Sequence, residues 1–576
     1  MRIKITKSKN TEHYSIIKDV VKNNKRTTEI YENLGSYDDI KNKCKTEDVE
    51  LWLKNYVKQL NEKNKKHNLP VIIKKYENVP IDKNINNLSN IGYIFLQKIY
   101  HSLGLDTICN KITKKHHFKY DLNSILKILL YSRIIYPSSK KRTYELSQSF
   151  YEKPEFDSHN IYRALEIIAD ENDYIQSALY NNSLKYKKRN NKILFYDCTN
   201  YFFEIEQEDD LRKYGKSKEN RPLPIVQMGL FLDGDGLPLA FSITPGNTNE
   251  QTTLKPLEQK IIDDFNTSKF VVCTDAGLAS TANRKFNNKE GRSFITTQSI
   301  KKLKNKFKEE AIDLTKGWML IGTDKKYNIS KLKEDERLIE IYKDKIFYKE
   351  RWIKENDLEQ RLIVTFSVKY QEYQKNIRNN QIERAKKLIS KNPQKIGKAK
   401  QNDFKRFVNT ISTTPDGEVA ETNNYFLNED LIKEEEKYDG LYAVCTNLED
   451  DVKDIIKINH NRWEIEESFR IMKSDFKSRP VYLSKEDRIK AHFTTCFLAL
   501  YLYRYLEKEL NEEFTTEQII TTIKNMNLVK EKQNYFSPAY TRTDLTDKLH
   551  DFIGFRTDYE IISEKNLEKI IQSTKK

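Results

Sequence analysis

The segment from residue 193 to residue 273 constrains the fold more than any other part of the chain. It holds continuous apolar runs separated by turn residues and by one stretch of helical spacing. Two of the runs, residues 225–232 and 237–243, are joined by Asp233-Gly234-Asp235-Gly236. Asp-Gly pairs between apolar runs are a strong β-hairpin signal. The segment therefore predicts buried strands, two of which form a hairpin.

The neighbouring runs give the order strand, strand, strand, helix, strand. Residues 193–196 and 270–273 are apolar and are predicted as buried strands. The helix between them is capped by Thr248 or Asn249 and has apolar residues at helical spacing from Leu254 to Phe265. An antiparallel meander, then a crossover helix to a parallel strand, is the way a ribonuclease H-like fold begins.

Two aspartates follow predicted strands of this core. Asp197 comes directly after residues 193–196, and Asp275 comes after residues 270–273. Carboxylates at the ends of adjacent strands converge, and they repel each other unless a cation neutralises them. Mg²⁺ takes oxygen ligands and often bridges carboxylates and phosphates. Each aspartate taken singly is more often a turn residue, but together they predict a metal site.

Residues 300–439 do not continue the pattern of the core. They include strand-like pieces such as residues 338–342 and 362–367, and we interpret them as a separate β-rich insertion. The run 440–445 then returns to the core as a strand, and a helix from about residue 452 to residue 476 follows.

The third candidate carboxylate lies on that helix. At about 100° per residue, Glu466 lies about 40° and Lys473 about 20° from Arg462, so the three share a face. Glu464 and Glu467 fall about 200° and about 140° from Arg462 and point elsewhere. A carboxylate between two cations stays ionised, and the cations can grip DNA phosphates. The alternative is an ordinary salt-bridged helix surface.

The region before the core, residues 91–184, has a helical pattern. Within it, Pro137-Ser138-Ser139-Lys140-Lys141-Arg142 is a turn that enters a helix. Lys140 and Arg142 at a helix N-terminus are candidate phosphate contacts. The alternative is a plain N-cap with solvated basic side chains.

Composition agrees with a nucleic-acid partner. Lys and Arg number 101 against 85 Asp and Glu, which gives a net charge of +16; the alternative is a proteome with a basic bias. The chain has no apolar run of the ~20 residues that a membrane span needs. The six cysteines form no C-x-x-C pattern, so we expect neither a zinc site nor a disulfide framework. We expect the protein to be cytoplasmic and to act on DNA.

These residues resemble bacterial insertion-sequence transposases with a DDE catalytic domain, in the group with the Y-R-E-K signature, Y-x2-R-x3-E-x6-K. Arg462, Glu466 and Lys473 match its last three positions, and Asn459 occupies the tyrosine position, where we expect it to hydrogen-bond a DNA phosphate. The resemblance spans about residues 190–505 and includes the sequences around Asp197 and Asp275, Gly215 to Lys218, Arg221-Pro222, Pro245-Gly246-Asn247, Arg479-Pro480-Val481-Tyr482 and His492.

The resemblance implies a mechanism and partners. Asp197, Asp275 and Glu466 would hold Mg²⁺, with Mn²⁺ as a substitute, for strand cleavage and strand transfer. The DNA partners would be double-stranded terminal inverted repeats and target DNA, bound by a homodimer that excises through hairpin ends. The insertion in such enzymes can carry a tryptophan that stacks on a flipped base. Trp318 and Trp352 are the candidates, although tryptophan more often serves packing.

The predicted fold class is an α/β ribonuclease H-like catalytic core interrupted by a β-rich insertion, with a mainly helical N-terminal DNA-binding region and a helical C-terminal region. Two hypotheses compete with a transposase: a catalytically inactive, transposase-derived DNA-binding protein, and a structure-specific nuclease that never joins ends. The predicted regions are an N-terminal α+β region (1–65), a helical DNA-binding region (66–188), the catalytic core (189–299 and 440–480), the insertion (300–439) and the helical C-terminal region (481–576).

Overall fold

The computed structural model describes residues 1–7, 11–22, 25–44, 48–65, 71–80, 83–289, 291–391, 403–413 and 419–576. Contacts divide the chain into two compact units, Met1–Lys83 and Asn84–Lys576. The predicted boundary between residues 65 and 66 adjoins residues 66–70, which lie outside the described part. No helix in the described part is long and apolar enough to cross a membrane.

The described residues of the smaller unit form an antiparallel sheet in the order β1-β2-β3 with two helices. Ser36 begins the first helix with a capping box, because its hydroxyl accepts from the Asp39 backbone while the Asp39 carboxylate accepts from the Ser36 backbone. Ile16 and Ile40 are buried in the core of this unit. Its elements are β1 (Arg2–Lys7), β2 (Glu12–Lys22), β3 (Lys25–Ser36), α1 (Tyr37–Lys43) and α2 (Val49–Lys65).

The larger unit begins with a short strand and a run of helices. The fifth helix of the chain starts at Asp121, whose carboxylate accepts from the Ser124 backbone at 3.1 Å. That helix is apolar nearly all round, so it is buried at the centre of the helical layer. The elements are β4 (Leu88–Asn90), α3 (Tyr93–Ser102), α4 (Leu105–His116), α5 (Leu122–Ile135), α6 (Lys140–Ser147), α7 (Ser158–Asp170) and α8 (Asn172–Tyr186).

The next segment confirms the predicted order of strands. The first strand pairs antiparallel with the second, the second with the third, and the strand after the crossover helix pairs parallel with the first. Asn249, one of the two predicted caps, accepts from the Gln251 backbone at 3.1 Å. The elements are β5 (Ile193–Phe202), β6 (Ile225–Asp233), β7 (Pro238–Pro245), α9 (Glu250–Phe265), β8 (Val271–Thr274), α10 (Thr281–Phe286) and β9 (Ser293–Thr297).

Residues 300–439 hold both strands and helices. The strand predicted at residues 338–342 is wrong, because a helix begins at Asp335, whose carboxylate accepts from the Arg337 backbone. Short apolar runs fit either structure by periodicity. The elements are a 3-10 turn (Ile300–Lys302), α11 (Asn305–Ile312), β10 (Trp318–Leu320), β11 (Lys326–Tyr327), α12 (Ile329–Leu332), α13 (Glu336–Tyr342), β12 (Phe347–Glu355), β13 (Leu358–Phe366), α14 (Val368–Lys391), a 3-10 turn (Phe404–Phe407), β14 (Val408–Thr413), β15 (Val419–Leu427) and α15 (Glu429–Glu436).

The helix predicted from residue 452 to residue 476 is broken into three pieces. The C-terminal region, predicted as helical, also contains three short strands. Together with β4 they form a four-stranded sheet in the order β19-β18-β17-β4. The elements are β16 (Leu441–Thr446), α16 (Val452–His460), α17 (Trp463–Arg470), a π-turn (Ile471–Asp475), α18 (Glu486–Glu509), α19 (Thr516–Asn525), β17 (Asn527–Lys530), a 3-10 turn (Lys532–Asn534), β18 (Tyr535–Pro538), α20 (Asp544–Ile553), β19 (Ile562–Ser563) and α21 (Glu564–Ser573).

Ten of the described strands join in one mixed sheet, in the order β11-β10-β12-β13-β16-β9-β8-β5-β6-β7. The predicted insertion is therefore not a separate body, since β10 to β13 extend the core sheet through pairing of β13 with β16. The reason is burial: all but one residue of β13 is buried, and this strand lies between two neighbours. β14 and β15 form their own two-stranded sheet.

Candidate active site and nucleic-acid interface

Asp197 and Asp275 occupy matching places on neighbouring strands. β5 and β8 are parallel, with Phe195 opposite Cys273, so each aspartate lies two residues beyond a paired position on the same side of the sheet. Asp275 directly follows β8, as predicted. The prediction for Asp197 was wrong in one respect: β5 continues through it to Phe202, because β6 pairs with β5 along that whole length.

The two carboxylates are electrostatically coupled. Burial raises the pKa of Asp197 to about 6, the Lys218 ammonium opposes this rise, and the charge of Asp275 adds to it. The Asp197 carboxylate accepts from the Cys198 backbone at 2.7 Å, and the Asp275 carboxylate accepts from the Leu278 backbone at 3.0 Å. A cation placed between the two carboxylates would favour the ionised form of both.

Glu466 lies beside Arg462, as the helical geometry predicts. Its carboxylate is 3.2 Å from the Arg462 guanidinium, and its side chain is 60% exposed. Glu464 instead pairs with the buried Arg504, and Glu467 pairs with Arg470 at 2.6 Å. Of these three glutamates, Glu466 is therefore the one on the side of Arg462, whose charge acts on Asp197.

Lys473 lies in the π-turn, and its side chain contacts strand β5 of the sheet. Its ammonium donates to the Thr199 hydroxyl at 2.6 Å and is 3.8 Å from Glu219. Burial lowers its pKa to about 8, and the charge of Lys218 contributes to this shift. The predicted face assumed one continuous α-helix, whereas the structure breaks the helix at Asn461 and again at the π-turn. Arg462 and Lys473 are nevertheless both coupled electrostatically to Asp197.

The carboxylates fit Mg²⁺ by chemistry, since their hard oxygen donors are those it prefers. Asp197 and Asp275 form the close pair, and their mutual repulsion is of the kind that a cation relieves. Within the described residues, no three metal-binding side chains are gathered into one group.

Asn459 does not face solvent. Its amide donates to the Tyr442 hydroxyl at 3.0 Å, and its oxygen lies 3.9 Å from the Cys273 sulfur. The predicted phosphate contact at Asn459 is therefore corrected to a buried link between α16 and two strands of the sheet, β8 and β16. The amphipathic α16 places this residue on its buried side.

The two tryptophans differ in exposure. Trp318 is wholly buried, and its indole donates to the Asp313 carbonyl at 2.9 Å. The prediction that Trp318 stacks on a base is therefore wrong for this structure, because the ring fills the core beside Phe366. Trp352 is 43% exposed on β12 and remains a candidate.

The predicted basic turn is present at the start of α6. The Ser139 hydroxyl accepts from the Arg142 backbone, which confirms the N-cap. The Arg142 side chain is exposed and pairs with Glu145 at 2.8 Å. Lys140, predicted as a phosphate contact, is buried, with Arg133 of α5 and Cys496 of α18 close to it.

Sequence reasoning assigned no role to three charged residues beside the aspartates. Lys218 donates to the Cys198 carbonyl and lies 3.5 Å from Glu250. Glu219 pairs with Arg479 and lies near Lys473. The sequence did contain a signal for these residues, because the segments with Lys218 and Arg479 are among those that resemble the transposase family. Their distance from Asp197 along the chain concealed the contact.

A family described as "Transposase DDE domain" matches residues 202–502, more than half of the chain. The match includes Asp275 and Glu466 and begins after Asp197. No curated protein sequence matches the chain.

Two solved structures are similar in part. The piggyBac transposase synaptic complex with hairpin DNA, determined by cryo-EM, has 8% identity and a TM-score of 0.36, over 85% of this chain and 86% of that chain. The Mos1 transposase paired-end complex with left transposon end has 10% identity and a TM-score of 0.13, over 42% and 65%. The family match by itself shows that the chain belongs to the transposase DDE-domain family.

Proposed function

We propose that the chain is a cut-and-paste DNA transposase of the insertion-sequence type with the Y-R-E-K signature. It would cleave DNA strands at terminal inverted repeats and transfer them to target DNA as a homodimer. The observation that carries this proposal is the pair Asp197 and Asp275 on adjacent parallel strands, flanked by Lys218, Arg462 and Lys473. The parallel β5 and β8 after an antiparallel meander also fit a ribonuclease H-like core.

Asp197 and Asp275 would hold Mg²⁺, with Mn²⁺ as the expected substitute, and Glu466 would complete the site. Bound metal supplies the activation of water and the stabilisation of the leaving oxygen. Glu466 must first turn away from Arg462, which frees the guanidinium for a phosphate. This exchange couples DNA binding to completion of the carboxylate site.

The cations around the aspartates would position the DNA backbone. Lys473 is fixed by its bond to Thr199, and this bond leaves two ammonium protons for a phosphate. Lys218 is anchored on the Cys198 carbonyl, close to Asp197. Trp352 is the remaining candidate for stacking on a flipped base.

The alternative hypotheses are an inactive transposase-derived DNA-binding protein and a nuclease that never joins ends. The buried carboxylate pair favours catalysis over the first, since a protein that only bound DNA would gain nothing from two coupled anions next to its cations.

One experiment separates the three. Purified protein is incubated with Mg²⁺, a labelled inverted-repeat end and a target plasmid, with EDTA as the control. Cleavage followed by joining supports the transposase. Binding without cleavage supports the inactive protein, and cleavage without joining supports the nuclease.

A further inference from the structure

A basic cavity lies apart from the aspartates, between the start of α6 and the loop that follows the π-turn. Its volume is about 520 Å³. The basic residues that line it are Arg133, Lys140, Lys141, Lys477 and Arg479, His492 also lines it, and no Asp or Glu is among the described residues that do so. A concave site with charges of one sign concentrates ions of the opposite sign.

Lys140 is the decisive residue. Its side chain is 5% exposed, and its ammonium is buried with no hydrogen-bond partner among the described residues. Burial, together with the nearby Arg133 charge, lowers its pKa to about 7. An ammonium buried without a partner is strongly unfavourable, and an anion bound in the cavity would supply the partner that the described residues do not.

The other groups that face Lys140 do not balance its charge. Arg133 of α5 donates to the carbonyls of Phe476, Lys477 and Ser138, which fixes the guanidinium, and its Nε has no partner among the described residues. On α18, burial holds the pKa of His492 well below its usual value, and burial also raises the pKa of the Cys496 thiol. These two groups are therefore neutral near pH 7.

The main chain adds donors of its own. The first turn of an α-helix has N–H groups without intrahelical acceptors, and the helix dipole favours an anion there. In α6, which has eight residues, the Ser139 side chain caps the Arg142 backbone. The N–H groups of Lys140 and Lys141, in the first turn of this helix, have no acceptor within the helix, and both residues line the cavity.

Arg479 links the cavity to the candidate active site. It lines the cavity and pairs with Glu219, which is 3.8 Å from Lys473, and Lys473 contacts Thr199 two residues from Asp197. Lys473, near Asp197, and Arg479, at the cavity, thus share the Glu219 carboxylate, and a DNA strand that reaches both places would meet both cations.

We propose that this cavity is a binding pocket for one backbone phosphate of DNA, outside the nucleotide that is cut. The inference rests on the proposed function for its ligand, because that function brings DNA to this face. The pocket would set the register of the strand, since a buried phosphate is held more rigidly than one at an exposed lysine.

The test uses the full-length protein without metal, so that it measures binding and not cleavage. Lys140→Met keeps the volume and removes the charge, and Lys569→Met removes an exposed charge on α21 as the matched control. Inorganic phosphate is the first probe, and its binding is measured as the rise in melting temperature that it causes. We expect Lys140→Met to melt at or above the wild-type temperature without phosphate, and to lose the stabilisation that phosphate gives the wild type.

The second probe is a labelled duplex of unrelated sequence, titrated at several salt concentrations. Loss of one phosphate contact should reduce the slope of log K against log salt by about 0.9 and weaken binding about eightfold at 0.1 M salt. Lys141→Gln, at the exposed mouth of the cavity, should show the same direction of change and guards against misfolding of the first variant. Lys569→Met should match the wild type.

The outcomes are separable. If Lys140→Met loses the stabilisation by inorganic phosphate and also binds DNA more weakly with a smaller salt dependence, the pocket for a DNA phosphate is supported. Loss of the inorganic phosphate effect with unchanged DNA binding overturns the DNA assignment and leaves a site for free phosphate. No change in either measurement overturns the inference. A protein that passes this test but never cuts DNA would contradict the proposed function and leave the pocket standing.

Discussion

At the scale of single residues, the arginine that pairs with Glu466 distinguishes this candidate catalytic carboxylate from its neighbour Glu467. Both Glu466 and Glu467 lie on α17 and pair with an arginine of the same segment. Only Glu466 pairs with the arginine whose charge reaches Asp197.

Glu466→Gln should reduce DNA cleavage by about a hundredfold or more, because it removes a ligand needed only for the chemical step. Glu467→Gln on the same helix is the matched control and should retain cleavage. Single-turnover cleavage of a labelled end measures both. The reverse ranking would show that the wrong face of α17 has been chosen.

Asn459 shows how a motif position can change its role. Its amide is hydrogen-bonded to Tyr442 in the interior. Asn459→Tyr, which restores the signature residue, should therefore lower the free energy of unfolding by about 1–3 kcal/mol, because the larger ring overpacks the site. Urea denaturation measures the change. An unchanged or higher stability with stronger DNA binding would mean that this position faces the DNA after all.

Glu258 on α9 gives a pH-dependent test away from the site. It is fully buried with Asn287, and burial raises its pKa to about 7. The folded state then binds more protons than the unfolded state between about pH 4.5 and 7, so Glu258 lowers stability as pH rises through that window. Glu258→Gln should flatten this dependence and stabilise the protein by ~3 kcal/mol at pH 8. Denaturation at pH 5 and pH 8 measures it, and an equal effect at both pH values would contradict the buried neutral state.

At the scale of elements, the sequence predicts correctly those features that are set by interactions within a few residues. The Asp233–Gly236 hairpin and the Asn249 cap were predictable, because turn and cap chemistry acts within a few residues. The end of β5 was not, since its extension to Phe202 depends on pairing with β6. The break in the predicted helix of residues 452–476 was not predictable either, because a π-turn leaves no periodic trace.

The strands of residues 300–439 illustrate the same limit. Nothing local shows that β13 pairs with β16, which lies far along the chain, so the extension of the core sheet could not be predicted. The site was predictable in part: the two aspartates follow from strand order, whereas Lys218 and Glu219 enter it through the tertiary fold.

The tryptophans of β10 and β12, a buried Trp318 and an exposed Trp352, allow a comparison within this extended sheet. Trp318→Ala should lower the free energy of unfolding by about 3–5 kcal/mol, because it empties a buried site. Trp352→Ala should change it by about 0.5 kcal/mol or less, as for an exposed position. Thermal or urea denaturation compares them. Equal effects would contradict the different burial of the two rings.

At the scale of the whole molecule, Lys and Arg give the chain a net charge of +16. Lys218 and Arg462 act on Asp197, and Arg479, which pairs with Glu219, is one of the cations that line the basic cavity. A basic surface alone favours DNA binding without sequence preference. The coupled aspartates are what distinguish an enzyme from a DNA-binding protein.

The most direct test of the central claim is single-turnover cleavage of a labelled inverted-repeat end in Mg²⁺, with DNA affinity measured on the same preparations. Asp197→Asn and Asp275→Asn should abolish cleavage while DNA affinity remains within about twofold, because these carboxylates act in the chemical step. Asp210→Asn, an exposed aspartate, should cleave at the wild-type rate. Wild-type cleavage by Asp197→Asn or Asp275→Asn would contradict the claim that this pair is the catalytic centre.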